Sequence, residues 1–265
     1  MAFFPTAIRG SAQKLFSLTY HFLEVLGVRV NILKRNELTN ATSGLLQQKR
    51  KGWISYVNVH AINLASELPW FKSFLNDSLL TYCDGQGVRL GASLLHGHLP
   101  QRIVMTDWVY DICGLAAENG WKIYFLGSKI DVVTKTIQNL RDFLPSLLVS
   151  GYHHGYLNSS DSEAVVEEIN RTGTDIVVVG MGMPLQERWI LDNSDRINAS
   201  LLLNAGSCFD YVSGAKQRCP RWLGNIGFEW VFRLLQEPRR LWKRYLIGNP
   251  EFLYNILKQR FERSR

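Results

Sequence analysis

A glycine turn between an apolar run and a helical pattern could hold a phosphate or a sugar. Residues 175–179 form the apolar run, and residues 180–187 add glycines, a proline and two polar side chains. Such a strand, turn and helix presents free backbone N–H groups to a ligand. Gln186 could hydrogen-bond a ligand bound at this turn, and Glu187 could orient such a ligand. The alternative is a plain connection whose glycines only satisfy backbone geometry.

Asp84 lies at a similar turn, directly after the apolar run 79–83. The pair Asp84-Gly85 puts a carboxylate where the missing side chain of the glycine lets a ligand approach closely. Asp-Gly pairs also occur in many plain turns, because both residues favour them. Repetition favours a binding role, since turns that follow parallel strands meet at one edge of a sheet and form a cleft there. The turns in question are Asn58, Asp84, Gly127-Ser128, Gly180 with Gly182, and Gly206-Ser207.

Arg102 is a candidate for two hydrogen bonds to a phosphate, with a solvated surface arginine as the alternative. The sequence contains no Gly-x-Gly-x-x-Gly, so we expect no nicotinamide cofactor. It contains no Asp-x-Asp either, and we expect no metal site. The adjacent His153 and His154 are poor metal ligands, because neighbouring side chains rarely converge on one ion. A bound diphosphate would need helix N-termini and arginines to balance its charge.

Apolar runs alternate with helical patterns along the chain, which predicts an α/β fold with a mostly parallel, Rossmann-like sheet flanked by helices. We expect strands at residues 26–30, 53–57, 79–83, 121–126, 147–149, 175–179 and 201–204. We expect helices at 36–50 with Asn36 as cap, 60–68, 108–119 with Thr106 as cap, 132–143, 161–171 with Ser160 or Asp161 as cap, and 186–193.

The chain has 265 residues, 46% of them hydrophobic, which is enough for a real core. Its formal charge of +7 is uneven: residues 216–265 hold 12 Lys/Arg and 4 Asp/Glu, or +8, against 18 basic and 19 acidic residues, or −1, elsewhere. Four cysteines without C-x-x-C spacing, and no evident signal peptide, favour reduced thiols in the cytosol. No apolar run reaches the ~18 residues of a spanning helix.

We divide the chain into an N-terminal extension (1–23), which could include a membrane-facing helix, an α/β core (24–215) and a C-terminal appendage (216–265). The appendage is predicted to form amphipathic helices at 222–236 and 238–247 and a third from Pro250 to residue 261. Its aromatic and basic side chains suit an anionic membrane surface, which we favour over nucleic acid because the apolar residues recur at helical spacing. A helical hairpin packed on the core is the other alternative.

The ordered motifs of the chain resemble those of the WecG/TagA/CpsF glycosyltransferases, over about residues 26–244. A single one of these motifs could arise by chance, whereas the ordered set is specific. The motifs are Val57-Asn58, Asp84-Gly85-x-Gly87, Arg102-Ile103 with Asp107, Gly182-x-Pro184-x-Gln186-Glu187, Gly206 with Phe209-Asp210 and Gly214, Arg218-x-Pro220, Glu229-Trp230-x-x-Arg233 and Glu237-Pro238-x-Arg240.

This resemblance implies a glycosyltransferase that moves a sugar from a nucleotide-sugar, expected to be a UDP-sugar, to a polyprenyl-diphosphate-linked saccharide. The implied reaction is a single inverting displacement without a metal, on the cytosolic face of the membrane. Asp84 is implied as general base with Asn58 beside it, Gln186 as a nucleotide-sugar contact, and Arg102 in diphosphate handling. The appendage would bring arginines over the active site. The implied substrate-binding set is Tyr56, Arg102, Asp107, Gly127, Gly182, Gln186, Glu187, Gly206, Asp210, Arg233 and Arg240.

The chain also departs from the pattern of that family. Five positions carry a residue other than the one usual in that family. They are Tyr56 in place of Thr, Met105 in place of Gly, Leu185 in place of Lys, Cys219 in place of Ala, and Lys243 in place of a third arginine. These departures surround the substrate pockets, so they bear on substrate identity. They also leave open a non-catalytic relative that binds nucleotide-sugar or membrane in a polysaccharide assembly complex. Self-association that covers an exposed apolar tail is a further possibility.

Overall fold

The computed structural model describes residues 20–98, 100–225 and 227–263. The N-terminal extension expected over residues 1–23, with its membrane-facing helix, lies almost wholly outside the described residues. None of the described helices is both long and apolar enough to cross a bilayer.

The core is a six-stranded parallel sheet with helices on both faces, which confirms the predicted α/β class. Eight strands are described: β1 (Phe22–Val25), β2 (Val28–Asn31), β3 (Gly52–Val57), β4 (Leu80–Cys83), β5 (Ile123–Gly127), β6 (Val149–His153), β7 (Ile176–Gly180) and β8 (Leu201–Asn204). Strands β3 to β8 form the large sheet in the order β4-β3-β8-β7-β5-β6.

Helices connect the strands and cover the sheet. They are α1 (Arg35–Gln47), α2 (Val59–Glu67), α3 (Pro69–Asp77), α4 (Gln86–His96), α5 (Met105–Asn119), α6 (Ile130–Phe143), α7 (Ser159–Arg171), α8 (Leu185–Asn193), α9 (Cys208–Val212), α10 (Arg221–Asn225), α11 (Glu229–Gln236), α12 (Pro238–Trp242) and α13 (Gly248–Arg263), with a π-helical turn at Lys243–Ile247.

The strands are buried on both faces because each face packs against helices. Every residue of β4, β5, β7 and β8 is buried. The buried side chains form two apolar clusters, one on each side of the sheet. This explains why the sequence shows continuous β-branched and aliphatic runs and no strict alternation of polar and apolar residues.

The strand predicted at residues 26–30 is confirmed for residues 28–30, which lie in β2, and is wrong for residues 26 and 27. Leu26 and Gly27 have φ angles of 50° and 80° and turn the chain between β1 and β2, which pair antiparallel as a hairpin. The side chain of Asn31 then accepts a hydrogen bond of 2.8 Å from the backbone N–H of Thr81 in β4. The hairpin is thereby attached to the edge of the large sheet.

Several predicted element ends are also wrong. Asn36 is not a cap, because α1 begins one residue earlier and the N–H of Lys34 donates to Glu37 at 2.8 Å. Thr106 lies inside α5, which begins at Met105. The cap of α7 is Asn158, which accepts from the N–H of Asp161 at 2.9 Å. The strand predicted at residues 147–149 instead runs from Val149 to His153.

The C-terminal segment differs most from the prediction. The helix predicted at 222–236 is two helices, α10 and α11, with Gly227 between them at a φ angle of 90°. The helices predicted to end at residue 247 and to begin at Pro250 are one continuous helix that includes the π turn. Pro250 is tolerated because its missing N–H falls just after the π turn, where the hydrogen-bond register already shifts.

Helix α13 packs on the core through one face, where Phe252 and Ile256 are buried against α2 and α4. The amide of Asn63 donates to the carbonyl of Gly248 at 2.8 Å, which fixes the start of α13 on α2. A Cβ atom added to Gly248 would lie 3.1 Å from that amide nitrogen. The small residue therefore allows the close approach that holds the π turn beside the core.

Candidate active site

A cleft of about 1080 Å³ lies across the carboxyl ends of the sheet strands. It is bordered by the turns that follow β4, β3, β8, β7, β5 and β6 on one side, and by the C-terminal helices on the other. The structure thus brings the sequence-predicted turns to one edge of the sheet. The predicted residues that line the cleft are Tyr56, Asn58, Asp84, Ser128, Gly180, Gly182, Gly206, Ser207, Asp210, Arg233 and Arg240.

Asp84 is held at the cleft by its backbone, while its carboxylate stays available. Its N–H donates to the carbonyl of Val57 at 2.9 Å, and its carbonyl accepts from Nε of Arg102 at 3.0 Å. Its carboxylate makes no hydrogen bond or ion pair with the part of the chain that the structure describes. Burial raises the pKa of Asp84 to about 7, Arg102 opposes the shift and Glu229 adds to it. Such a carboxyl group can take up a proton near neutral pH.

Asn58 caps the helix that starts beside Asp84. Its side-chain oxygen accepts from the N–H of Ala61 at 3.1 Å, so the oxygen serves α2 while the residue lines the cleft. Gly85 packs directly on it, since an added Cβ would lie 3.0 Å from the Cα of Asn58. The glycine after Asp84 therefore permits the close contact between the two turns.

Gln186 and Glu187 are fully buried beneath the cleft and do not line it. The side-chain oxygen of Gln186 accepts from the N–H of Gly182 at 3.2 Å and of Gly206 at 2.9 Å. Its amide nitrogen donates to Glu187 at 2.7 Å, and Asn204 donates to the same carboxylate oxygen at 2.9 Å. In this geometry Gln186 joins two glycine turns, whereas the sequence suggested that it reaches the ligand itself.

Tyr56 lines the cleft with a neutral hydroxyl group. Burial raises its pKa, and the nearby Glu187 and Asp84 raise it further. The hydroxyl lies so close to the turn after β8 that a Cβ added to Gly206 would be 2.4 Å from it. Glycine suits position 206 for two reasons. Its φ angle of 56° is one that other residues rarely adopt, and a side chain there would collide with the Tyr56 hydroxyl.

Arg102 and Asp107 are not part of the main cleft. They line an adjoining cavity of about 580 Å³, which shares Glu229 and Arg233 with the cleft. Arg102 forms an ion pair with Glu229, and Asp107 forms one of 2.7 Å with Arg218. Arg102 thus joins the loop of Asp84 to the appendage.

The turn after β5 is joined to the appendage through Asp210. The hydroxyl of Ser128 donates to Asp210 at 2.7 Å, and Nζ of Lys216 lies 2.6 Å from its other carboxylate oxygen. Gly127 lies behind this turn, outside the cleft lining, because an added Cβ would be 2.3 Å from the carbonyl oxygen of Gly180.

The C-terminal helices place arginines at the cleft. Arg233 is partly buried and donates to the hydroxyl groups of Tyr211 at 2.9 Å and Ser207 at 2.8 Å. Arg240 is more exposed and pairs with Glu237, the residue that precedes its helix α12. The charge of Arg233 therefore lies beside the turn that follows β8, at the middle of the sheet edge, while Arg240 lines the same cleft.

Arg244 is a further cleft arginine, which the sequence motifs had not singled out. The π turn carries it into the cleft, where its Nε is buried and has no hydrogen-bond partner among the described residues. Burial lowers the pKa of Arg244, and the pKa of His60 falls to about 4 because of burial and this arginine. Lys243, which the family motif aligns with an arginine, has its Nζ 5.5 Å from the ring centre of Trp242. Arg244 was missed because no sequence pattern predicts the π turn that carries it.

No group of three or more potential metal-ligating side chains occurs within the described ranges. The fold and the cleft define an α/β enzyme with arginines and the buried carboxyl group of Asp84 at the carboxyl edge of a parallel sheet.

The family model described as "Glycosyl transferase WecG/TagA/CpsF family" matches residues 23–265. The chain belongs to this family and is a glycosyltransferase. It is 29% identical over 214 residues to the N-acetylglucosaminyldiphosphoundecaprenol N-acetyl-beta-D-mannosaminyltransferase of Bacillus subtilis (strain 168), covering 81% of this chain and 82% of the relative. It is 28% identical over 206 residues to the enzyme of the same name from Staphylococcus aureus (strain MW2), covering 78% and 80%.

Proposed function

We propose that the chain transfers a sugar from a nucleotide-sugar, with UDP as the nucleotide, to a saccharide carried on a polyprenyl diphosphate. The product would serve the synthesis of an exopolysaccharide or a cell-envelope polysaccharide. The names of the similar enzymes, which specify an N-acetylglucosaminyldiphosphoundecaprenol acceptor and N-acetylmannosaminyl transfer, support this acceptor class. The observation that carries the proposal is the unpaired carboxylate of Asp84 in the same cleft as Arg233.

In the proposed reaction, Asp84 removes the proton from an acceptor hydroxyl group as its oxygen attacks the anomeric carbon of the donor. The bond between that carbon and the diphosphate breaks on the opposite face, so the anomeric configuration inverts. The proton ends on Asp84 and the electron pair leaves with the nucleoside diphosphate. A carboxyl group whose pKa is about 7 is suited to this proton transfer at neutral pH.

The leaving diphosphate needs positive charge, and the appendage supplies it in this proposal. Arg233, Arg240 and Arg244 line the cleft, and a guanidinium group can donate two parallel hydrogen bonds to a phosphate. Two of the cleft carboxylates already pair with basic groups, Asp210 with Lys216 and Glu237 with Arg240. These features support a metal-independent reaction, in which arginines stabilise the charge that develops as the bond breaks.

We further propose that the appendage binds an anionic membrane, on the inner face where the acceptor's lipid resides. One face of α13 packs on the core, and a stripe on the remaining surface exposes apolar side chains at helical spacing. Basic side chains on the same segment would favour acidic lipid headgroups. The exposed stripe consists of Leu253, Tyr254, Leu257 and Phe261 on α13, preceded by Leu246 in the π turn.

A donor screen tests the proposed function. The full chain would be incubated with a short-chain prenyl-diphosphate N-acetylglucosamine and with UDP-linked hexoses and N-acetylhexosamines, both with and without EDTA. The proposal expects a nucleotide-dependent disaccharide lipid whose new linkage is inverted, in equal yield with the chelator. Retained configuration, or loss of product with EDTA and its return with Mg²⁺, would contradict the proposed mechanism.

A further inference from the structure

Arg244 owes its place in the cleft to the π turn. Its Nε is buried and has no hydrogen-bond partner within the described ranges. Its guanidinium carbon lies 5.5 Å from the ring centre of Tyr245, the next residue of the turn. That ring in turn lies 6.0 Å from the ring of Trp230 on α11, which is also part of the appendage. These contacts move with the appendage, so the position of the guanidinium group depends on what holds the turn on the core.

The turn stays in place against electrostatic repulsion. Burial lowers the pKa of Arg244, and the positive charges of Arg233 and Arg240 lower it further. Like charges in one poorly solvated cleft repel each other, so the arginines themselves do not favour this arrangement. A contact between the turn and the core must oppose that repulsion.

A buried hydrogen bond joins the end of the π turn to the core. Asn63 on α2 is 8% exposed, and its amide nitrogen donates to the carbonyl of Gly248 at 2.8 Å. Its side-chain oxygen is buried and has no hydrogen-bond partner among the described residues. The apolar packing of α13 on the core is non-directional, whereas this hydrogen bond fixes the height and rotation at which the helix starts.

Helix α2 and the π turn face each other at two points. His60 and Asn63 lie about one turn apart on α2, and Arg244 and Gly248 lie about one turn apart on the segment that faces it. Asn63 contacts Gly248, and Arg244 lies near enough to His60 that its charge adds to the effect of burial in lowering the pKa of the imidazole. The hydrogen bond therefore sets the face of the turn that carries Arg244 against α2.

We propose that Asn63 is a positioning residue for the transfer reaction, which holds the π turn through Gly248 so that Arg244 faces the departing diphosphate. Asn63 itself touches neither substrate. This inference rests on the proposed function, in which Arg244 helps to stabilise the leaving group, and it adds the core residue that sets where this arginine lies. A displacement of about 1 Å in such a group can lower the rate by up to about 100-fold.

A double-mutant cycle on kcat tests the proposal. The full chain would be assayed with the short-chain prenyl-diphosphate N-acetylglucosamine and the UDP-sugar that gives most product. Arg244→Ala lowers kcat about 100-fold, because it removes a donor to the developing charge. Asn63→Ala lowers kcat about 10-fold or more and leaves both KM values within about 3-fold of wild type. The double variant is within about 2-fold of Arg244→Ala alone, because an arginine that is already absent cannot be displaced.

Gly248→Ala tests the same contact from the side of the appendage. The added Cβ atom would lie 3.1 Å from the amide nitrogen of Asn63, so this variant also lowers kcat, and it adds no loss to Arg244→Ala. Gly44→Ala is the matched control, since a Cβ atom at this position of α1 meets no atom within 4 Å. Asn76→Ala is the control for the amide, which donates at 3.0 Å to a glycine carbonyl in the β1–β2 turn and does not line the cleft. Both controls keep kcat within about 2-fold of wild type.

A wild-type kcat in Asn63→Ala, beside a low kcat in Arg244→Ala, would overturn the positioning role alone. Losses that multiply in the double variant would overturn it too, because Asn63 would then act apart from Arg244. A higher KM with unchanged kcat would assign Asn63 to substrate binding, and an equal loss of kcat in Asn76→Ala would assign the effect to a loosened fold; either result would overturn the proposal.

Two further results would reach the proposed function as well. A wild-type kcat in Arg244→Ala would overturn the proposed use of this arginine together with the role of Asn63. Absence of transfer by the wild type with every UDP-sugar would overturn the proposed function and the inference that rests on it.

Discussion

Arg102 and Glu229 form an ion pair that joins the loop of the candidate base to the C-terminal helices. The same arginine donates through Nε to the backbone carbonyl of Asp84 at 3.0 Å. One side chain thus links the residue proposed to take the proton with the helix that carries Arg233. The appendage is part of the candidate active-site cleft, so its position and the pKa of Asp84 depend on each other.

The activity should fall as the pH decreases through about 7. Burial raises the pKa of Asp84 to about 7, and only the ionised carboxylate can accept a proton. The acid limb of kcat/KM against pH should therefore have its midpoint near that value. A midpoint near 4, the ordinary range of aspartic acid, would argue against Asp84 as the base.

Glu229→Gln should move that acid limb to lower pH. Glu229 raises the pKa of Asp84, and removing its charge also frees Arg102 to act more strongly on the same carboxylate. The pH profile of kcat/KM measures the shift. Glu262→Gln, at an exposed position near the end of α13, is the control and should leave the midpoint unchanged. If the midpoint of the acid limb were the same in Glu229→Gln and wild type, Glu229 would not control the pKa of Asp84.

Arg233→Ala should lower kcat by about 100-fold or more, because preorganised donors to a developing charge contribute about that much. Arg233→Lys should be intermediate, since an ammonium keeps the charge but cannot donate to Tyr211 and Ser207 in the same fork. Steady-state release of nucleoside diphosphate measures the effect. Arg239→Ala, an exposed arginine that does not line the cleft, should stay within about 2-fold of wild type. If Arg233→Ala and Arg239→Ala lowered kcat equally, the loss would come from the net charge of the chain and not from the position of Arg233 in the cleft.

Glu187→Gln should make the fold more stable at pH 8 than wild type, by on the order of 1 kcal/mol or more, and change it little at pH 5. Burial raises the pKa of Glu187 to about 7 in the folded chain, above its unfolded value, so the wild type loses stability as the pH rises towards 7. The amide keeps an oxygen for the donors Gln186 and Asn204. Urea unfolding at both pH values tests this, and a variant that is less stable at pH 8 would refute it.

Leu253→Glu combined with Leu257→Glu should abolish binding to phosphatidylglycerol liposomes. Both side chains belong to the exposed apolar stripe of α13, and a carboxylate there disfavours both the apolar and the anionic part of the membrane. Co-sedimentation measures the bound fraction. Gln48→Glu with Gln138→Glu adds the same charge at exposed sites elsewhere, on the residue after α1 and on α6, and should bind as wild type does. Equal binding by both double variants would show that the stripe does not contact lipid.

The sheet edge could be predicted from the sequence because its cause is local. A buried parallel strand needs a short apolar run, and the turn after it needs glycine or a capping side chain. Asn58 and Asp84 could be placed at such turns without any knowledge of the neighbouring strands. The strand order, which brings the two turns together, depends on long-range packing and had to come from the structure.

Other features could not be predicted because long-range contacts decide them. Gln186 looks like a ligand contact in the sequence, yet its oxygen binds the N–H groups of Gly182 and Gly206, which lie in two different turns. Pro250 looks like the start of a helix, yet the π turn lets one helix continue through it. That turn also brings Arg244 into the cleft, where the family motif suggested only Lys243.

Single-turnover transfer by Asp84→Asn tests the central claim most directly. Asparagine keeps the size of the side chain but cannot accept the proton, so we expect the transfer rate to fall at least about 100-fold. Nucleotide affinity and the unfolding transition should stay close to those of wild type, and Asp142→Asn, an exposed position on α6, should transfer at the wild-type rate. A rate for Asp84→Asn within about 3-fold of wild type would show that another group takes the proton.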